Sequence, residues 1–391
     1  MLSRPVFLLF LLCFGHFAVD FMWGVWPFFK TMRGVDLAWA GAIGGIGAFI
    51  AEISQVFFGA ASDRGYRYFM IAVGVVMSMI MPWISSGSTI VSYGLIYLTF
   101  AIGSAAFHPS AAGALAHLFP KSKSFVFGLF FASGGLGLAI SQVTFSSVYA
   151  AFDGWTVPLS LIGLPVILLA ILIQVLGRAK KYEVEQKKNF SFLEVFQFFK
   201  RRETCLLWIF HLAIASVYWG MIFYLPDILK EKGCEEWICN GAGHMAFMLG
   251  AVFMGMPAGW LADKFSPRQV LLAIVFIGMF AFFSLLLITS LPAYYLLPLA
   301  ALVGATLGVV TPLTISWGNS VVPESPGLIS AFLMGFVWFA AELVGIAGVG
   351  FLSKFFEETP ATQSLVVLGA LFVVASFSLY QLGKREETVP A

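Results

Sequence analysis

The sequence predicts an all-α membrane protein, with twelve transmembrane helices arranged in two pseudo-symmetric bundles of six. Composition is the first reason: of 391 residues, 60% are hydrophobic and only 11% are charged, whereas soluble domains average about 25% charged residues. A repeat is the second. Asp63-Arg64 and Asp263-Lys264 each follow a long apolar run, and a doubled signature in an apolar chain predicts two related halves.

Twelve apolar runs are long enough to cross a bilayer, since a membrane helix needs about 20 mostly apolar residues. We expect helices rather than barrel strands, because strands would be about 10 residues long with alternating polarity. The predicted spans are roughly 5–29, 36–60, 69–86, 89–117, 124–150, 154–177, 204–229, 241–262, 268–289, 292–318, 327–352 and 362–382. They predict an N-terminal bundle over 1–177, a cytoplasmic linker with an amphipathic segment over 178–203, and a C-terminal bundle over 204–391.

The positions of lysine and arginine predict the orientation of these helices. Most of them fall on one side of the membrane when the N-terminus is placed inside the cell. The distribution therefore predicts a multi-pass protein of the inner (cytoplasmic) membrane, with both termini in the cytoplasm. The net charge of +2 gives no indication of a nucleic-acid partner. We expect a monomer whose partners are the lipid bilayer and a small-molecule substrate.

The doubled signature resembles the loop that recurs between the second and third helices of major facilitator superfamily transporters. Gly59 precedes the first copy and Gly259 the second, at the spacing of the family's pattern. The resemblance implies the major facilitator fold and a latch that closes the cytoplasmic side. The residues expected to form this gating latch are Asp63, Arg64, Arg67, Asp263, Lys264 and Arg268. The alternative is that these charges only anchor the loops on the inner side.

Two shorter stretches resemble the fosmidomycin-resistance subgroup of drug exporters within that superfamily. They are Gly15-His16-Phe17-Ala18-Val19-Asp20 in the first predicted helix and Phe107-His108-Pro109 in the fourth. The antiporter motif of many drug exporters is not evident in the fifth helix, which offers Ser133-Gly134-Gly135 instead. The direction of transport therefore stays open at the level of sequence.

Few ionisable residues lie at membrane depth, where a charge costs at least about 2.5–3.5 kcal/mol. His16 and Asp20 are four residues apart, so they share one face of a helix. We predict that they carry a coupling proton, together with Glu52 and Glu342. The alternative is that such groups are hydrogen-bonded in the helix packing without a role in transport. A proton gradient would drive the cycle, and the sequence predicts neither a cofactor nor a metal site.

Aromatic residues and two further histidines are the candidates for binding the substrate. The resemblance implies that the first, fourth, seventh and tenth helices line the central cavity. The candidates are His108, His211, Phe21, Trp23, Tyr218, Trp219, Trp317 and Trp338. An aromatic wall suits a partly apolar organic solute, although aromatic residues also form belts at membrane interfaces.

The sequence therefore predicts a proton-coupled secondary active transporter that exports small, partly apolar organic compounds by alternating access. Two alternatives remain: a proton-coupled uptake symporter of a small metabolite, or an exporter of a metal ion or metal chelate. An enzyme is not predicted, because the chain lacks a recognisable nucleophile motif or metal constellation.

Overall fold

A computed structural model describes residues 4–119, 123–152, 164, 166–173 and 196–383. Within these ranges the backbone forms helices joined by short turns, and no strand. The all-α prediction is confirmed, as is expected of a chain whose backbone polar groups must pair within each segment when water is absent.

Six α-helices precede residue 153 in the described chain. They are α1 (Arg4–Trp23), α2 (Val25–Arg33), α3 (Leu37–Ala61), α4 (Arg67–Ser78), α5 (Ile90–Leu118) and α6 (Lys123–Phe152). Most of the sixth predicted span, 154–177, lies outside the described residues, although 166–173 are helical.

Nine further helices follow residue 200. They are α7 (Arg202–Glu231), α8 (Gly243–Lys264), α9 (Pro267–Leu287), α10 (Ala293–Gly308), α11 (Val310–Val321), α12 (Pro326–Glu342), α13 (Val349–Leu352), α14 (Pro360–Leu368) and α15 (Leu371–Gly383). Several predicted spans thus consist of two shorter helices in line, as α10 and α11 do.

Ten helical segments in the described part of the chain are long and apolar enough to cross a membrane. One of them, Leu37–Ser86, is 50 residues long and holds two predicted spans. The two meet in a π-helical segment, Ser62–Tyr66, where Gly65 has a φ of 100°, a backbone conformation that favours glycine. Large apolar side chains such as Phe253, Met256 and Phe280 are exposed on the spans, as a lipid-facing surface requires.

The chain divides into two compact units, Met1–Val35 with Ile46–Gln186, and Asp36–Gly45 with Lys187–Ala391. Within the first unit, α1 packs closely on α6. A Cβ atom at Gly137 would lie only 2.1 Å from the carbonyl oxygen of Phe17, so this crossing requires glycine. Within the second unit, α8 and α10 approach equally closely, because a Cβ at Gly304 would lie 1.8 Å from the carbonyl oxygen of Phe247.

The predicted linker falls mostly on residues outside the described ranges, so its course and the predicted bundle boundaries remain predictions. Its last part, Phe196–Lys200, is a 3₁₀ turn in the second unit. Phe198 is buried there against Phe332, with ring centroids 5.5 Å apart, while Phe196 is 45% exposed. This end of the predicted amphipathic segment is therefore apolar on a face that packs against the protein.

Candidate functional site

A carboxylate held between two imidazoles lies in the first unit. His16 and Asp20 lie one turn apart on α1, and the Nε2 atom of His16 is 3.2 Å from Oδ2 of Asp20. His108 reaches the same carboxylate from α5, with its Nε2 atom 3.3 Å from Oδ1 of Asp20. The sequence placed His108 among the substrate-binding residues, whereas the structure brings it into one cluster with the predicted pair, here called the His–Asp–His cluster.

The second ring nitrogen of each histidine is bound to the backbone. Nδ1 of His16 lies 2.7 Å from the carbonyl oxygen of Phe130 on α6, and Nδ1 of His108 lies 2.8 Å from the carbonyl oxygen of Ser104. A carbonyl oxygen can only accept, so each Nδ1 must carry a hydrogen and donate it. These bonds fix both rings, and each Nε2 atom is the nitrogen that faces Asp20.

Gly134 on α6 provides the space that the cluster occupies. A Cβ atom at this position would lie 2.4 Å from Oδ2 of Asp20 and 2.6 Å from Nε2 of His16. The Ser133-Gly134-Gly135 stretch is visible in the sequence, but its role is not, because only the packing of α6 on α1 shows which side chains meet this glycine.

Glu52 on α3 supplies a second carboxylate near the cluster. Its Oε1 atom accepts a hydrogen bond of 2.7 Å from Nε2 of Gln55, one turn further along the helix. Glu52 also lies within electrostatic range of His108. The predicted coupling residues Asp20, His16 and Glu52 therefore belong to one region of the first unit. Gln55 was not singled out in the sequence, although its spacing from Glu52 fits a helical pair.

The cluster is enclosed on one side and open on the other. The side chain of His16 is only 3% exposed, whereas those of Asp20 and His108 are 25% and 27% exposed. A small ion or a proton can therefore reach the carboxylate, while His16 is held in the packed interior between α1 and α6.

Two of the predicted polar residues, His211 and Glu342, belong to the second unit and are not part of the cluster. Nε2 of His211 on α7 is 2.8 Å from the hydroxyl oxygen of Thr311, the first turn of α11. Glu342 ends α12 and is 4% exposed. Each is buried in its own surroundings, and their predicted roles in substrate binding and coupling remain predictions.

Aromatic residues of the predicted substrate set form a surface in the second unit. Trp219 and Trp338 meet edge to face, with ring centroids 5.9 Å apart. Tyr218 stacks on Phe247 with a centroid distance of 5.8 Å. All three predicted residues are half-buried, and so is Trp317 on α11.

The two aromatic candidates of the first unit differ in their exposure. Phe21 is only 8% exposed and packs on Phe145, with ring centroids 5.0 Å apart. Trp23 is half-buried at the end of α1. A solute can reach Trp23 more readily than Phe21.

The doubled loop has different contacts in the two units. In the first unit, Arg67 begins α4 and its guanidinium lies 3.4 Å from the carboxylate of Asp63 and 3.3 Å from the hydroxyl of Ser62. Arg64 is exposed beside them. The pair joins the two sides of the kink at Gly65, and its partial exposure limits its contribution to about 0–1 kcal/mol.

In the second unit the lysine of the matching loop makes cation–π contacts. The ammonium of Lys264 lies 5.1 Å from the ring centroid of Trp260 and 5.5 Å from that of Phe265. Arg268 approaches the carbonyl oxygen of Leu379 on α15 at 3.5 Å, while Asp263 is exposed. The gating latch stays a prediction.

A separate surface ion pair in the second unit joins Arg201 to Glu324, with 3.1 Å between Nη1 and Oε1. The hydrogen bond from the backbone of Glu324 and the one from Arg201 lower the pKa of this carboxyl. Both side chains are 57% exposed, so the pair belongs to the solvated surface.

Comparison with known proteins gives one family and a consistent fold. Residues 8–345 match the model of the Major Facilitator Superfamily. A stretch of 167 residues is 30% identical to the 4-hydroxybenzoate transporter PcaK of Pseudomonas aeruginosa, covering 42% of this chain and 35% of that transporter. The match thus spans about a third of the relative's length.

Solved transporter structures resemble the whole chain at low sequence identity. A bacterial homologue of the human lysosomal transporter Spinster superposes with a TM-score of 0.82 at 17% identity, over 100% of both chains. The nucleoside transporter NupG superposes with a TM-score of 0.72 at 14% identity, over 96% of this chain and 99% of NupG. These similarities concern the fold, and nothing in them assigns the fosmidomycin-resistance subgroup.

Proposed function

Since this chain belongs to the Major Facilitator Superfamily and is a multi-pass membrane transporter rather than an enzyme, we propose that it exports small, partly apolar organic compounds in exchange for protons. Asp20 is the proposed proton site. It is a carboxylate a quarter exposed, set between two imidazoles whose orientation the backbone fixes. This arrangement is the observation on which the proposal depends.

The residues of the cluster have the chemistry that proton exchange needs. Histidine is the side chain whose unperturbed pKa is closest to neutrality, and ionisable groups inside membrane segments commonly mark proton pathways. A proton on the cluster lies between Asp20 and one of the two Nε2 atoms, where it cancels the repulsion between a carboxylate and an imidazole lone pair. Glu52 is the proposed second acceptor, because it lies within electrostatic range of His108.

The proposed solute is aromatic or otherwise flat and partly apolar. The edge-to-face pair of Trp219 and Trp338 and the half-buried Tyr218 present ring faces and edges in the second unit. Aromatic surfaces bind aromatic solutes through offset or edge-to-face contacts worth about 0.5–1.5 kcal/mol each beyond burial. The partial similarity to a 4-hydroxybenzoate transporter supports the same class of solute.

Uptake by proton symport is the alternative direction. The observation that favours it is the absence of the exporters' antiporter motif in α6, where Gly134 instead makes room for Asp20. Both directions use the same proton site and the same class of solute. They are therefore distinguished by whether protons move against the solute or with it, rather than by the residues involved.

The test uses the full chain reconstituted in liposomes that contain a pH-sensitive dye. A thermal-shift screen of aromatic acids, antibiotics and nucleosides first identifies a stabilising solute, with 4-hydroxybenzoate as the initial probe. Addition of the solute should then move protons across the membrane, opposite to the solute for export and together with it for uptake. Asp20→Asn should abolish this proton movement, because an amide does not take up the proton.

Glu236→Gln is the control, since Glu236 is an exposed carboxylate whose contact is a 3.4 Å hydrogen bond from Asn240. It should move protons like the unaltered protein. Transport by Asp20→Asn at the full rate, with unchanged pH dependence, would contradict the proposed proton site.

A further inference from the structure

The protonation pattern of the His–Asp–His cluster leaves a site for a cation. Each Nδ1 donates to a carbonyl, so in the neutral histidines each Nε2 atom carries a lone pair and no hydrogen. Both lone pairs face oxygen atoms of Asp20 at 3.2 and 3.3 Å. Each nitrogen lone pair and the carboxylate oxygen it faces repel each other at such distances unless a positive charge lies among them.

Two nitrogen–oxygen distances in the cluster are close to those between neighbouring ligands of a tetrahedral metal ion. One ligand atom from each of His16, Asp20 and His108 lies within 4.8 Å of the others. Zinc binds histidine nitrogen and carboxylate oxygen at about 2.0–2.2 Å, which separates two ligand atoms in a tetrahedron by about 3.3 Å. Each imidazole nitrogen lies at this spacing from one carboxylate oxygen of Asp20, His16 at 3.2 Å from Oδ2 and His108 at 3.3 Å from Oδ1.

The hydrogen bonds that the two histidines make through Nδ1 are of the kind found in metal sites. A histidine that binds a metal usually donates its other N–H to a carbonyl or carboxylate, which fixes the ring and its tautomer. The carbonyls of Phe130 and Ser104 do this for both rings. They belong to different helices, α6 and α5, so two independent backbone contacts orient the two nitrogens toward one carboxylate.

We propose that the cluster binds one divalent transition-metal ion of the zinc class, through Nε2 of His16, Nε2 of His108 and a carboxylate oxygen of Asp20. Imidazole ligands select such ions over magnesium and calcium, which prefer oxygen ligands. The exposed quarter of Asp20 and His108 leaves room for water as a fourth ligand. The ion occupies the atoms proposed above for the proton, so bound metal blocks coupled transport.

Binding is measured on the purified full-length protein in detergent, after treatment with a chelator, by titration with Zn²⁺ alone. One equivalent of Zn²⁺ should bind. Co²⁺ in the same site should show the intense visible absorption of a tetrahedral ion, and X-ray absorption at the zinc edge should show two imidazole ligands. These spectra need no substitution, so they test the site even where a variant fails to fold.

Variants then assign the ligands. His16→Ala, His108→Ala and Asp20→Asn should each weaken Zn²⁺ binding at least about 10- to 100-fold, the loss seen when even outer contacts of metal sites are removed. His117→Ala is the matched control, because His117 is an exposed histidine on the same helix as His108, and it should bind Zn²⁺ like the unaltered protein.

Absence of saturable binding would overturn the proposal, as would a zinc-edge spectrum without imidazole or a loss in His117→Ala equal to that in His108→Ala. The titration uses no gradient and no solute, so its outcome is independent of the proposed transport. A protein that binds Zn²⁺ but moves solute without protons contradicts the proposed function alone, and one that couples protons without binding Zn²⁺ contradicts the metal site alone.

Discussion

The first helix of each half differs in polarity: one carries ionisable side chains and the other carries apolar and aromatic ones. Pro27, just after α1, and Pro226, near the end of α7, give a register for the first helix of each half, in which Ala215 and Trp219 take the places of His16 and Asp20. In the second unit, Ala215 is buried with Val337 and Ala341, and Trp219 and Trp338 pack against them. In the first unit, the same face carries the histidine–carboxylate pair. One half of the duplicated fold thus has a charged cluster and the other an apolar, aromatic one.

A single small residue accompanies this difference. Pro109 in α5 and Pro312 in α11 give a second register, and the same offset in the next helix places Val337 of α12 where α6 has Gly134. Glycine leaves a space next to α1 that the carboxylate of Asp20 occupies, whereas valine fills the corresponding space itself. Burying a charge without partners is costly, so the charged cluster also needs His108 and the two backbone carbonyls, while the aromatic cluster needs only apolar neighbours.

Filling the space at Gly134 should have the largest effect of these changes, because it disrupts the charged cluster that distinguishes the first unit. In Gly134→Ala the new methyl group displaces Asp20 from between the imidazoles, since its Cβ would lie 2.4 Å from Oδ2. We expect coupled proton movement to be lost and Zn²⁺ affinity to fall about 10- to 100-fold, measured in liposomes and by titration. Gly128→Ala on the same helix is the control, because a Cβ there meets no atom within 4 Å. Equal transport by the two variants would show that the space is not required.

Truncating the aromatic cluster should have the next largest effect, on stability and solute binding. Trp219→Ala should lower the free energy of unfolding by about 3 kcal/mol, the low end for tryptophan truncation because the side chain is half-buried. It should also abolish the thermal shift caused by an aromatic solute while leaving Zn²⁺ binding unchanged. Trp237→Ala, at a tryptophan that is 50% exposed, should change stability by less than about 0.5 kcal/mol.

A double-mutant cycle of Trp219→Ala with Trp338→Ala sharpens this test. The edge-to-face contact of 5.9 Å should give a coupling energy of about 0.5–1.5 kcal/mol, measured by denaturant unfolding in micelles. Additive losses would mean that the two rings are stabilised separately, by burial alone.

Removing a surface ion pair should have the smallest effect on stability, and the effect should be similar in the two units. The pKa of Glu324 is lowered in the folded protein by its backbone hydrogen bond and by Arg201. The charge of Glu324 therefore stabilises the fold above its unfolded pKa of about 4.3, and this stabilisation is lost as pH falls through the lower, folded value. Melting curves of Glu324→Gln should lie slightly below those of the unaltered protein at pH 7 and meet them in acid. A difference between the two melting curves that widens in acid would contradict the stabilising role assigned to the charge of Glu324.

The sequence predicted those features that depend on residues close together along the chain. The apolar runs predicted the helices, and the doubled signature predicted the superfamily to which the chain belongs. Spacing alone placed His16 and Asp20 on one face of α1, and the structure confirms their contact. The individual roles in coupling, substrate binding and gating were predictions from residue type, and they remain so.

The sequence by itself thus determined that this chain forms membrane helices of a duplicated transporter, because lipid contact and backbone pairing restrict each segment independently of the others. Only the tertiary structure decided that His108 joins Asp20, that Phe130 and Ser104 orient the imidazoles, and that Gly134 makes room for them. These relations join α1, α5 and α6, which are more than 80 residues apart in places. The physical reason is that the depth and rotation of packed helices, rather than their sequence spacing, determine which side chains share a buried space.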